Sequence, residues 1–98
     1  MFRIVLACEG IAPNLGIEAA QDVAGEFAHR PWHRNVRCTW HDNQLMLEAE
    51  NDFDSTGEAT ADEFSDAVAA SVSGGYRVRI LSVIKANTVL SNQRLERL

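Results

Sequence analysis

Two cysteines and two prolines occur in 98 residues, and aromatic residues make up 7% of the chain. Both cysteines, Cys8 and Cys38, lie inside apolar stretches. So sparse a thiol content excludes a disulfide-built secreted scaffold and makes reduced, buried thiols in a cytoplasmic protein the expectation. The opening "MFRIVLACEG" contains a lipoprotein-like "VLAC", but seven residues before Cys8 are too few for a charged region plus an apolar segment. No apolar run approaches the roughly 20 residues needed to cross a bilayer. Cations are missing from the middle: no Lys or Arg occurs from Cys38 through Tyr76, while eight acids fall between Glu48 and Asp66. With 14 acids against 9 Lys plus Arg, the formal net charge is -5, which disfavours nucleic acid and anionic membrane as partners. A G-x-S-x-G elbow, a phosphate loop and a dinucleotide fingerprint are all absent, so no common catalytic motif names a reaction.

What is present is periodicity. "FRIVLAC", closed by Gly10 and Pro13, reads as a buried strand. From Leu15 to Ala28 the apolar positions Ile17, Ala20, Val23, Ala24 and Phe27 recur every three or four residues opposite Glu18, Gln21, Asp22 and Glu26, the pattern of an amphipathic helix that Pro31 prevents from continuing. Val36, Cys38 and Trp40 alternate, as do Leu45, Leu47 and Ala49, around the turn-forming Asp42 and Asn43, which predicts a hairpin with Trp40 in the core. Trp32 is expected to close the bottom of that core. Ala61, Phe64, Val68 and Val72 predict a second helix with Thr60 and Glu63 as its capping box and Gly74 and Gly75 at its end. "YRVRILSVIKA" alternates again as a fourth strand, and residues 87–98 read as a short helix or tail of one 1–98 domain.

The order strand, helix, strand, strand, helix, strand predicts an α+β sandwich with two helices on one face of a four-stranded antiparallel sheet. Right-handed crossovers put the first and third strands in the middle and the second and fourth at the edges. This βαββαβ arrangement resembles the ferredoxin-like fold in element order over most of the chain. That superfold hosts many unrelated functions, so the resemblance implies a fold and no activity.

Parity then predicts a second surface. With Ile4, Leu6 and Cys8 turned to the helices, the sheet's other face would carry Arg3, Val5, Ala7 and Glu9 from the first strand. The second strand would add Arg37, Thr39 and His41, the third Met46, Glu48 and Glu50, and the fourth Arg77, Arg79, Leu81 and Val83. Carboxylates of the third strand would lie between arginines of the first and second, a salt-bridge ladder around an apolar patch. The leading expectation is a non-catalytic module that uses this face to bind a protein partner or itself, as a homodimer in which Arg77 or Arg79 of one copy meets Glu48 or Glu50 of the other. Stacking of RNA bases would need aromatic rings on the central strands, where Val5, Ala7, Met46, Glu48 and Glu50 stand instead. A small enzyme on the same face, with arginines gripping an anionic substrate and Glu48 or Glu50 moving protons, is an alternative.

A further alternative is calcium. "DFDSTGEATADEF" has Asp52, Asp54 and Thr56 at loop positions one, three and five, Gly57 at six, Glu58 at seven and Glu63 at twelve, the pattern of an EF-hand loop. Against it, Ala59 stands where a branched apolar residue is usual, and the preceding "LMLEAEN" fits a strand better than an entering helix. An acidic turn into a capped helix explains the same residues without metal. Zinc at His29, His33, Cys38 and His41 has poor spacing, and a Cys38 nucleophile with His41 as base fails on alternation, which turns the two apart.

Overall fold

The computed structural model describes residues 1–85, so the tail expected at 87–98 lies outside the described residues. The elements run β1 (Phe2–Glu9), a 3-10 turn (Pro13–Leu15), α1 (Gly16–Phe27), β2 (Arg34–His41), β3 (Gln44–Asn51), α2 (Glu58–Ala69) and β4 (Arg77–Lys85). The four strands form one sheet in the order β2-β3-β1-β4, with every neighbouring pair antiparallel. This is the α+β, ferredoxin-like topology that the periodicity predicts. The core lies between the sheet's inner face and the helices, around Ile4, Leu6, Leu45, Leu47, Phe27 and Phe64, all essentially without solvent contact. Asp42 and Asn43, with φ of 52° and 60°, make the two-residue β2–β3 turn, in which both central residues adopt the left-handed conformation that Asn and Asp tolerate.

Several local expectations are corrected by packing. Helix α1 buries Gly16, Ala19, Ala20, Val23 and Phe27, while Ile17 is 67% exposed. The cause is Gly16: a Cβ there would run into the ring of Trp40, so the helix sets its bare backbone down on the indole and turns Ile17 outward. Trp40 packs on the edge of the core, but Trp32 remains 49% exposed and closes nothing. Helix α2 starts at Glu58, two residues before the expected cap, and Thr60 is buried inside its first turn. Its regular part ends at Ala69; backbone bonds carry the turn on through Val72, ahead of Gly74 and Gly75.

The largest correction concerns β4. Opposite β1, Val5 pairs with Ser82 and Leu6 with Ile80, so Leu81 is an extra residue without a partner. Such a bulge reverses the inside–outside alternation beyond it. Val83, expected on the open face, packs against the core beside Gly57, where an added Cβ would come within 2.9 Å of its Cγ2. Ile84, expected inside, is 59% exposed and stands opposite Arg3.

Candidate functional site

The sheet face away from the helices carries an ordered set of ion pairs. On β3, Glu48 stands half-buried between the two neighbouring strands. Arg3 on β1 donates to its Oε1 at 3.0 Å, and Arg37 on β2 approaches its Oε2 at 3.6 Å. The carboxylate thus lies between arginines of the first and second strands, as strand order and parity require. Glu50, one pleat further, accepts from Asn35 Nδ2 at 2.8 Å. Asn35 has φ of 52° and sits in the register shift between Arg34 and Arg37. A polar groove of about 320 Å³ lies there, lined by Arg3, Asn35, Arg37, Glu48 and Glu50 over Ala49.

At the other end of the face, Arg79 reaches Glu9 Oε2 at 2.6 Å and Arg77 reaches Glu9 Oε1 at 3.9 Å. Within one copy, then, the β4 arginines have a partner on the adjacent strand rather than Glu48 or Glu50. His41 pairs with Asp42 at the exposed hairpin end, 3.1 Å apart. Between the clusters, Ala7 is wholly covered by its neighbours, Val5 and Met46 are half-buried, and Leu81 and Ile84 stay exposed on the edge strand.

The end of the sheet where β2 begins and β3 finishes holds a buried polar chain. Asn51 occupies the inward phase of β3 after Leu45, Leu47 and Ala49, where an unpaired amide would be costly. Its Oδ1 accepts from the backbone N–H of Phe53 (3.2 Å) and Asp54 (2.9 Å), which orients the amide. Its Nδ2 therefore donates, to Thr60 Oγ1 at 3.1 Å and to His33 Nδ1 at 3.3 Å. With Nδ1 accepting, the imidazole proton belongs on Nε2, which donates to Glu63 Oε1 at 3.1 Å. Glu63 also receives Arg30 Nε at 3.0 Å and the indole Nε1–H of Trp32 at 3.3 Å. Both ring nitrogens of His33 are occupied within the protein, so this imidazole–carboxylate pair has no free nitrogen with which to act as a base.

The chain ends at Asp54. Its carboxylate accepts from Gly57 N (2.9 Å) and Thr60 N (2.7 Å), capping α2 in place of the expected Thr60–Glu63 box. Gly57 makes this possible, since the turn into the helix needs its φ of 83°. Burial alone would raise the Asp54 carboxyl. The hydrogen bonds from the Thr60 hydroxyl and from the amides of Thr60, Gly57 and Ala59 outweigh it and hold the group below the ordinary carboxylate range.

No known protein family, curated protein or solved structure matches the chain. Function therefore rests on geometry alone.

The geometry separates the expected calcium ligands. Asp52 lies 3.7 Å from the Met1 ammonium and 3.5 Å from Arg34, Asp54 turns inward to cap the helix, and the Thr56 hydroxyl accepts from the Glu58 amide at 3.2 Å. Glu63 reaches away to Arg30 and His33, and β3 is extended through Asn51. Among the described residues, no three of His, Cys, Asp and Glu are grouped so as to hold a metal ion. The zinc candidates are likewise dispersed: His33 is buried, while His29 and His41 face solvent. Cys38 stands in register with Leu47 on the helix side and His41 with Gln44 on the open side, so they form no nucleophile and base pair. Burial pushes the Cys8 thiol up to about 11 and that of Cys38 to about 12, which makes both poor nucleophiles. Among the described residues no helix is long and apolar enough to cross a membrane.

Sequence reasoning missed the Asn51–His33–Glu63 chain and the part of Asn35 in the groove. For Asn51 a signal existed: it is the one polar residue on the inward phase of β3, and such a residue requires a partner.

Proposed function

We propose that the protein is a non-catalytic cytoplasmic module that self-associates as a two-fold dimer through the open face of its sheet. The observation that carries this reading is the arrangement of charge on that face. A cluster of both signs stands at each end, Glu9 with Arg77 and Arg79 at one and Glu48 with Arg3 and Arg37 at the other. Val5, Met46, Leu81 and Ile84 lie between and beside them. A half-turn that exchanges the ends would set Glu48 and Glu50 of one copy against Arg77 and Arg79 of the other, the pairing by which the surface would match itself. The edges of the sheet favour face over edge. Both β2 and β4 carry irregularities and cations, devices that discourage strand addition. The acidic balance and the lack of aromatic rings on the open face of the central strands, whose one ring, Phe2, packs against the core, support a protein surface over a nucleic-acid one.

Light scattering should give a dimer whose dissociation constant Arg79→Glu raises by roughly tenfold or more, the scale of losing a central interface residue. A monomer at every concentration tested would overturn the proposal.

The polar groove supports a second reading, a small enzyme or binding protein for an anionic compound held by Arg3 and Arg37. Phosphate or citrate raising the melting temperature of the protein, with Arg37→Ala removing the rise, would put this reading first.

A further inference from the structure

We infer that Trp32 and Phe53 form a second docking surface, separate from the open sheet face, for a basic segment of a partner protein that carries an apolar side chain. Two large aromatic side chains flank His33 from two loops, with ring centroids 5.9 Å (Trp32) and 6.1 Å (Phe53) from the imidazole. Both stay about half exposed, 49% and 52%. Trp32 is also held in place before any partner arrives. Its Nε1–H is bound to Glu63, and Glu63 is itself fixed by Arg30 and by buried His33, which Asn51 orients in turn. A rigid aromatic face in solvent loses little conformational freedom on binding, which is the physical character of an interface anchor.

The surrounding charge selects the partner. Glu58, Asp62 and Asp66 follow one another at four-residue spacing along α2, exposed and directed away from the buried Thr60, Phe64 and Ala67. At about 100° per residue, the three fall within roughly 80° of each other around the helix axis, with Glu63 and its tryptophan on the adjoining flank. Among the described residues none of the three meets a cation. The nearby guanidinium groups are already engaged, Arg30 by Glu63 and Arg34 by Asp52. An arginine or lysine on the partner would therefore find unneutralised carboxylates around the helix from Glu63 and the Trp32 ring it holds, where cation–π attraction adds to charge. The same negative charge repels nucleic acid and anionic lipid.

The test uses the full chain and a short fluorescein-labelled peptide of alternating arginine and leucine, read by fluorescence anisotropy. Binding is expected to weaken as salt is raised and to weaken roughly tenfold in both Trp32→Ala and Asp62→Lys. Because Trp32→Ala also removes a hydrogen bond from Glu63, Phe53→Ala serves as a second variant; its side chain makes no such bond, and it should weaken binding while leaving the melting temperature within the usual range of a surface substitution. No binding at the highest soluble concentration would overturn the inference, as would equal binding of the peptide with glutamate in place of arginine. Binding indifferent to Trp32→Ala and Phe53→Ala but lost in Glu48→Lys would place the peptide on the sheet face instead and overturn it. A change of oligomeric state in Trp32→Ala or Phe53→Ala would make a second copy the occupant and also overturn it.

Discussion

Asp54 and Glu63 are the residues whose role changes most between the linear pattern and the folded chain. In sequence they are positions three and twelve of a calcium loop; in space one caps the helix that starts four residues after it, and the other anchors a loop thirty residues earlier. The side-chain types were legible and their partners were not, because a carboxylate accepts hydrogen bonds from a metal's competitors equally well. Asp54 yields a test with a definite sign. Its folded value is held below its unfolded one, so the stability it contributes is fully present above the unfolded value of about 3.9 and is lost as pH falls through the lower folded value. Asp54→Asn, which sets an NH2 group against an amide that its carboxylate now serves, should cost about 1–2 kcal/mol at pH 7. In urea titrations that gap should begin to narrow below about pH 4, where the unfolded carboxyl takes up its proton, and should close at lower pH as the native carboxyl is protonated too. A gap independent of pH would mean that Asp54 is not the ionised cap.

At the level of elements, alternation located all four strands and set the faces of β1, β2 and β3 correctly, since each of these keeps a strict period of two where it was used. It failed in β4 after Ile80. "ILSVI" is apolar at nearly every position, so either phase could be buried, and the extra residue that decides the matter is visible only against the partner strand. Helix α1 repeats the lesson with Ile17, whose outward position follows from the place that Gly16 makes for Trp40, a residue of another element. The bulge predicts an inequality. Val83→Asp buries a charge against the core and should cost at least about 2–3 kcal/mol in thermal or chemical unfolding. Ile84→Asp should leave the fold within about 0.5 kcal/mol of the original while dissociating the proposed dimer. If Ile84→Asp proved the more destabilising to a folded monomer, the alternation would run unbroken and the bulge would be wrong.

For the whole molecule, topology converts a charge pattern into surfaces. Strand order β2-β3-β1-β4 brings Arg3 and Arg37, thirty-four positions apart, to one carboxylate, and it brings the N-terminus to the acidic turn at Asp52. Because the carboxylates of that turn are committed to a helix, to loop cations and to the ammonium terminus, millimolar calcium should leave the melting temperature unchanged. A rise on adding calcium that Asp52→Ala removes would show the loop surrendering these bonds to the ion. The two proposed surfaces are separate, one on the back of the sheet and one beside α2, so a dimer through the first would leave the second free for a different partner.

The sequence by itself determined the number and order of the elements, the class of fold, and which side of most strands meets the helices. Those features follow from periodic burial of apolar side chains, which each segment encodes alone. Tertiary structure alone decided the helix cap at Asp54, the buried chain from Asn51 to Glu63, the turn of Ile84 toward solvent and the fixing of Trp32. Each of these depends on which donor, acceptor or empty space another segment supplies, and a linear pattern does not state that.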